Sequence, residues 1–535
     1  MSHFGNSLLL SNAGFLLLFL VSPIYLKWYS IYMLIVVLAF LVSILFDLLI
    51  FRFFNTELKR VLSTILVVGL VLASMLFMFF DFNIFSIIFS FFSIFRIINY
   101  LKIIDSNKNI IYLRNSFLKS FRTLGAIQVF LLIFNYLFDK YFYSFSLEIY
   151  LVLAIQLLVI FILAYSTYRS FHKLKPQNIT KFLNDQDLPS ITVAIPARNE
   201  DRDLEDCLSS LIKSDYPKLE VIVLDDCSQS KKVAEIIRSF AHDGVVFLEG
   251  KVPPEDYLAK NYAYEQLAEA SNGQIVIFTG VDVRFDKDSL RKIIEFMINK
   301  KKRMISLLPN NDYSHIGFFR ASLTQPLRYL WEISLPRRFL NRPPVLSTLW
   351  AIYKEDLIDF GDFKGLKRNI IPERTIAKKL ALSKDGYSFM FSNDVFNILS
   401  VKDFNSQIET SIRLKYPSLK QRLDFLSIIL VLEILIFVVP IFEVILSLLT
   451  KSYLITVASV LILLGFNLIY AFVVKISYKR FFKSVLLVGF VAGIFDIYLW
   501  FISMYKYEFN EVLWKGRNVC IPVMMVPKDQ DSELK

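Results

Sequence analysis

Three short segments of this chain concentrate side chains that can bind and activate polar groups. They read Ile195-Pro196-Ala197-Arg198-Asn199-Glu200, Val223-Leu224-Asp225-Asp226-Cys227-Ser228 and Phe278-Thr279-Gly280-Val281-Asp282-Val283. Each follows a short apolar run. Carboxylates accept hydrogen bonds, supply oxygen to hard cations and act as general bases. A single such segment is explained by helix capping or turn formation. Three of them, spaced to fall at the ends of neighbouring strands, point to a ligand site.

The elements that must position these residues follow from the pattern between 171 and 424. Ser190–Ile195, Leu219–Leu224, Gly244–Leu248 and Gln274–Thr279 read as buried strands. Amphipathic helices are predicted over Asp203–Lys213, Lys231–Ala241, Leu258–Glu269 and Lys287–Asn299. Strand–helix alternation predicts an α/β domain with a mainly parallel sheet. Such sheets bind ligands beyond the carboxyl ends of their strands, where the three segments fall.

The rest of the chain has a different solvent. Of 535 residues, 55% are hydrophobic and 20% charged, with mean hydropathy +0.50, and the apolar excess lies at the two ends. This excludes a disordered chain, a fibrous one and a simple cytosolic enzyme. A membrane span needs about 20 apolar residues. Six fit before residue 170: Ser7–Leu26, Ile31–Phe51, Val61–Phe80, Phe82–Leu101, Thr123–Phe138 and Leu147–Thr167. The first lacks the basic start and small-residue cleavage site of a signal peptide. Phe425–Leu449, Tyr453–Val474 and Ser484–Met504 follow the α/β block. Either a break at Pro440 or a re-entrant last segment around Gly489, Gly493 and Asp496 would bring the tail back to the side of the α/β block. The domain plan is therefore 1–170 membrane helices, 171–424 α/β, 425–504 membrane helices and 505–535 a polar tail.

Lys and Arg gather in alternate loops, among them Arg52, Lys59 and Arg60, then Lys102 to Arg122, then Arg169 to Lys175. Cytoplasmic loops collect these residues, so the α/β block is expected on the cytoplasmic face of the cell membrane. The same bias accounts for the net charge of +12. The longest basic run, Lys300-Lys301-Lys302-Arg303, ends a predicted helix, and no nucleic-acid partner is expected. Cys207, Cys227 and Cys520 form no disulfide framework or zinc spacing.

Taken in order, the motifs resemble those of the membrane-bound family 2 glycosyltransferases with a GT-A fold. The family's P-x-x-N-E is matched by Pro196-Ala197-Arg198-Asn199-Glu200, its Asp-Asp-Gly-Ser turn by Asp225-Asp226-Cys227-Ser228, and its G-K-N-x-A by Ala259 to Ala263. A G-G-F-like element reads Gly361-Asp362-Phe363, and a W-K-G-R element reads Trp514-Lys515-Gly516-Arg517. The tail element resembles the branch that glycosylates carotenoid and hopanoid-type lipids. The resemblance implies a nucleotide-diphosphate sugar donor. Pro196, Ala197 and Glu200 would hold the ribose, Asp226 would accept from the base edge, which favours a UDP-sugar, and Lys260 would lie near the diphosphate. It further implies inverting transfer to a lipid or lipid-linked acceptor.

Two positions depart from the family pattern. The Asp-x-Asp metal motif here reads Gly280-Val281-Asp282, leaving Asp282 as one protein ligand for Mg²⁺ or Mn²⁺. The Glu-Asp pair that carries the base is replaced by Pro372-Glu373-Arg374, and Glu373 takes the general-base position before a helix at Ile376–Leu382. Glu355-Asp356 precedes Gly361 and is not that pair. The Q-x-x-R-W motif of processive members is expected at Gln421-Arg422-Leu423-Asp424-Phe425, where Arg and Trp are replaced, against processive extension. The alternatives are a nucleotide-sugar-binding protein without turnover, motivated by Gly280, and a channel or transporter built on residues 1–170.

Overall fold

The computed structural model describes residues 56–519 apart from 81–82, 105–109, 143–144, 175–181, 313, 315, 335–342, 362, 383–385, 393–394 and 479–484, together with 36–38, 40 and 43. The predicted span Ser7–Leu26, nearly all of Ile31–Phe51, and Asp362 lie outside the described residues. Two units are present, one reaching Val152 and including Leu419–Leu432, the other formed by Leu153–Ser418 and the chain from Glu433.

In the first unit, helices run over Thr56–Phe80, Ile84–Ile104 and Ile110–Phe142. The third is longer than its predicted apolar stretch at Thr123–Phe138. Polar side chains on these helices turn inward and satisfy one another, as burial demands. Arg96, fully buried, donates to Gln128 Oε1 at 3.0 Å, and Gln128 Nε2 donates to Ser93 Oγ at 2.7 Å.

The second unit holds the α/β core. Its strands are β1 (Ile191–Ala197), β2 (Leu219–Asp225), β3 (Val245–Glu249), β4 (Ile275–Thr279), β5 (Val283–Arg284), β6 (Met304–Leu308), β7 (Asn310–Asn311), β8 (Leu349–Tyr353), β9 (Tyr387–Phe391), β10 (Leu399–Ser400), β11 (Leu513–Trp514) and β12 (Arg517–Asn518). Seven of them form one sheet in the order β3-β2-β1-β4-β8-β6-β9. β8 runs antiparallel to both β4 and β6, and the other pairs are parallel. The predicted strands and helices up to residue 299 are all present, with ends displaced by one or two residues. The sheet is buried on both faces. Leu204, Cys207, Leu208 and Leu211 of the helix Asp201–Ile212 cover one, and Tyr264, Leu267 and Ala268 of the helix Ala259–Ala270 the other. Phe278 stacks on Trp350 with ring centroids 4.4 Å apart, and Phe363 of the Gly361-Asp362-Phe363 element meets both rings edge-on. That element thus serves the core through its aromatic residue.

Six helical stretches among the described residues are long and apolar enough to cross a bilayer, three on each side of the α/β core in sequence. The last predicted segment is one unbroken helix, Val485–Phe509. Its glycines permit close approach, since a Cβ at Gly493 would overlap the Phe437 ring and one at Gly489 would meet Asn467. Asp496 on the same helix is neutralised by Lys415 at 2.6 Å and accepts from Trp331 Nε1 at 3.2 Å. The break falls earlier. Leu423–Phe437 and Val439–Leu449 are separate helices, with Pro440 in the first turn of the second, where a missing N–H costs least.

Candidate active site

Parallel registry aligns the strand ends. Ala197 on β1 pairs with Asp225 on β2, and Ala194 with Phe278 on β4. The polar segments that follow therefore emerge together along one edge. Two of the turns use left-handed backbone, Asn199 at φ 52° and Cys227 at φ 51°. Asn tolerates this conformation, whereas for Cys it costs roughly 1–2 kcal/mol. Position 227 is where the family turn carries Gly. The turns are tied together. Asn199 N donates to Ser228 Oγ at 3.1 Å, Gln229 N to Asn199 Oδ1 at 2.9 Å, and Ser228 N to Asp225 Oδ1 at 3.0 Å.

Beyond these ends lies an open cleft of about 300 Å³. Of the residues singled out from sequence, Pro196, Glu200, Lys260, Gly280 and Asp282 line it. Ala197, Asp226 and Glu373 stand behind the lining: they are 0%, 5% and 1% exposed. The Ala197 carbonyl already accepts from Asp226 N at 2.9 Å. Glu373, in the first turn of the helix Pro372–Leu382, reaches the site through Lys260, whose Nζ lies 3.7 Å from Glu373 Oε2. Burial pushes the Lys260 ammonium down to about 8, even though Glu373 acts to raise it.

Asp282 accepts from Ser400 Oγ on β10 at 3.3 Å. A Cβ at position 280 would collide with its Oδ1, so glycine there leaves room for the carboxylate to fold back over the strand end. No cluster of three or more His, Cys, Asp or Glu side chains suited to a metal occurs among the described residues. Asp282 fits a cation only as one ligand among oxygens brought by a substrate.

Sequence reasoning missed two basic residues of the lining, Lys402 and Arg413; with Lys515, noted only as part of the tail element, they join Arg198 and Lys260. Lys402 Nζ donates to Thr410 Oγ1 at 2.6 Å, and burial pushes it down to about 8. Burial likewise lowers Arg413, which is 7% exposed. Both flank or lie on the helix Phe404–Ser418. The signal was Thr410-Ser411-Ile412-Arg413-Leu414, which keeps the polar-x-x-Arg-apolar spacing one helix before Gln421–Phe425. At Gln421–Phe425, Arg422 instead pairs with Asp424 at 2.5 Å and packs over the Phe425 ring. Glu355 and Asp356 are engaged elsewhere, with Arg303.

The tail returns to the cleft. β11 and β12 form a hairpin whose turn, Lys515-Gly516, has φ 49° and 76°, the doubly left-handed geometry that suits two-residue hairpins. Lys515 pairs with Glu200, and Arg517 Nη1 lies 2.7 Å from Asp226 Oδ1. Burial raises the carboxyls of Glu200 and Asp226, and these two cations oppose the rise.

Residues 192–366, which carry the first three strand ends and Lys260, match the family described as Glycosyl transferase family 2. The chain carries a family 2 glycosyltransferase domain. Its sheet is the mostly parallel one of GT-A-like folds. Among relatives of this glycosyltransferase domain, the Glycosyltransferase AglE of Haloferax volcanii is 24% identical over 232 residues, covering 42% of this chain and 72% of the relative. The Putative teichuronic acid biosynthesis glycosyltransferase TuaG of Bacillus subtilis is 31% identical over 121 residues, 21% of this chain and 43% of the relative. Among solved structures, the Mannosyltransferase PcManGT from Pyrobaculum calidifontis, in complex with GDP-Man and Mn²⁺, is 15% identical at a TM-score of 0.41, covering 67% of this chain and 98% of that one. The S. aureus TarS structure is 16% identical at a TM-score of 0.30, covering 43% of this chain and 40% of that one.

Proposed function

We propose that the protein transfers a sugar, with inversion, from a nucleotide-diphosphate sugar to a lipid or lipid-linked acceptor at the cytoplasmic face of the cell membrane. The observation that carries this reading is that Glu200, Lys260 and Asp282, from three separate segments of a glycosyltransferase domain, line one cleft. Pro196, Ala197 and Glu200 hold the ribose, and Asp226 accepts a ring N–H of the base, for which a uridine is the better partner. Lys260, with Lys402, Arg413 and Lys515, receives the diphosphate, because several cations gathered on one cleft favour an anionic ligand. As Lys260 turns to the diphosphate it leaves Glu373 free to take the proton of the acceptor hydroxyl, which attacks the anomeric carbon in line. Asp282 would hold a divalent cation, which when bound supplies positive charge to the diphosphate.

The acceptor class follows from the surroundings. Arg413 and Lys515 line the same cleft, so the chain between them crosses the bilayer an even number of times. Three apolar stretches lie in that interval; on this reading the first, broken at Val438–Pro440, does not make a full crossing. On this reading the cleft lies at the membrane surface, within reach of a lipid-borne hydroxyl, and the Lys and Arg of the adjoining loops favour the cytoplasmic side.

Calorimetric titration of the purified protein with UDP- and GDP-sugars tests the donor. UDP-sugars should bind more tightly, and Asp226→Ala should weaken binding by roughly 1–3 kcal/mol, the cost of losing a partner for a buried polar group. Unchanged affinity in Asp226→Ala would remove Asp226 from the base site.

A further inference from the structure

The residues assigned to the donor base sit within a domain that ends well before the tail, yet the ion pair with the Asp226 carboxylate comes from the tail. Arg517 makes a two-point approach, with Nη1 2.7 Å from Asp226 Oδ1 and Nη2 3.2 Å from the Asp226 carbonyl oxygen. Among the described residues no hydrogen bond reaches Asp226 Oδ2. The guanidinium is itself held in place. Arg517 pairs with Trp514 across the hairpin, and Val519 N donates to Val512 O at 2.9 Å to add a further rung. Arg198, at the end of β1, fastens the hairpin to the strand edge. Its Nε donates to Lys515 O at 3.0 Å, and its Nη1 donates to the carbonyls of Asp226 and Cys227 at 2.6 Å each.

We propose that Arg517 is a positioning residue for the donor base: it fixes the Asp226 carboxylate so that one of its oxygens is left for a ring N–H of the nucleotide. The tail hairpin, which lends Lys515 to the cleft lining, thereby supports the base-binding turn behind it. This rests on the reading of Asp226 as the base acceptor. The electrostatics agree with the geometry. Asp226 is 5% exposed, and burial alone favours its neutral acid, which has no charge with which to hold an N–H donor. The charged or titratable groups facing it are Arg517 and Lys515 from the hairpin, Arg198 from the end of β1, and its neighbours Asp225 and Cys227. Arg517 is the strongest of the opposing influences and the one bonded to the carboxylate. Removing it shifts the balance towards the protonated form.

The experiment uses the full chain in detergent, with UDP as probe, and measures the binding constant from about pH 5 to pH 7.5, a window above the ordinary carboxylate range, towards which burial raises a carboxyl that loses its cation. Wild type, Asp226→Asn, Arg517→Gln and Arg517→Lys are compared, each checked for an unaltered melting transition. Asp226→Asn should bind about ten-fold more weakly at every pH. Arg517→Gln should match that loss at the acidic end and recover as pH rises, because the unassisted carboxyl then ionises. Arg517→Lys should fall between, since it keeps the charge and loses the fork. The double variant should be no weaker than Asp226→Asn alone. A loss in Arg517→Gln that does not change with pH, no loss at all, or tighter binding that would make the hairpin a competitor of the nucleotide, each overturns the role of Arg517 while leaving Asp226 in place. Unchanged binding by Asp226→Asn overturns the base-acceptor reading, and this inference with it. If Arg517→Gln does not fold, Arg517→Lys decides by whether its binding recovers with pH.

Discussion

Lys260 Nζ and Glu373 Oε2 lie 3.7 Å apart, with the lysine side chain 12% exposed and the glutamate 1%. Each comes from the first turn of its own helix, and the ammonium also lies 4.9 Å from the centre of the Tyr264 ring. Among the described residues the Oε2 atom accepts no hydrogen bond, and Lys260 is the cation paired with it. A buried charge that loses its partner is penalised heavily. The general base and the diphosphate cation of the proposed reaction are therefore held as one unit while the cleft is empty.

Glu373→Gln keeps the shape and removes proton acceptance. Turnover should fall by about 10²–10⁴, with donor affinity nearly intact. Both this variant and Glu373→Ala should destabilise the fold, by up to about 3–5 kcal/mol, because each leaves the Lys260 charge without its buried partner. Single-turnover kinetics beside thermal melts separate the two. Near-normal turnover in the Gln variant would return Glu373 to a purely structural pairing with Lys260.

Two lysines of the lining carry opposite pH signatures for binding and for stability. Burial lowers Lys260 and Lys402 from 10.5 to about 8 in the folded chain. As pH rises through that value both lose charge, and affinity for the diphosphate should fall. Between about pH 8 and pH 10.5 the unfolded chain still binds these protons and the native chain does not, so their contribution to stability rises with pH. Nucleotide affinity and melting temperature measured over this range should diverge. Affinity that stays level above pH 8 would take both lysines out of the phosphate site.

Mn²⁺ and donor should bind with mutual assistance, because Asp282 supplies one ligand and the diphosphate supplies others, and linkage makes the effect reciprocal. Asp282→Asn should abolish it. Gly280→Asp should not simply restore a second ligand, since its Cβ would overlap Asp282 Oδ1 and displace the carboxylate already there. Donor titrations with and without Mn²⁺ check this in wild type and both variants. Equal affinity in every case would leave the leaving group to Lys260, Lys402, Arg413 and Lys515.

The α/β core and the edge on which chemistry gathers were legible because both depend on local pattern. Alternating apolar runs and amphipathic helices dictate parallel strands, and parallel strands bring their carboxyl ends together. That is why Glu200 and Asp282 could be assigned to one edge from spacing, with Lys260 added by the family resemblance. Lys402 and Arg413 escaped notice because they lie after the last legible strand end, around a helix with no recognised motif. The continuity of Val485–Phe509 was also undecided in sequence: Gly489 and Gly493 weaken a helix in isolation, but here they let Asn467 and Phe437 pack closely. Likewise Asp496 reads as a disruptive charge until Lys415 is seen beside it. The pairing of Asp226 with Arg517 was beyond any periodicity. The residues are far apart in the chain, and what joins them is the path of intervening apolar helices, whose packing against one another returns the tail hairpin to the sheet edge. Hydrophobic pattern determines which face of an element is buried, and only the assembled structure decides which distant charge is there to meet it.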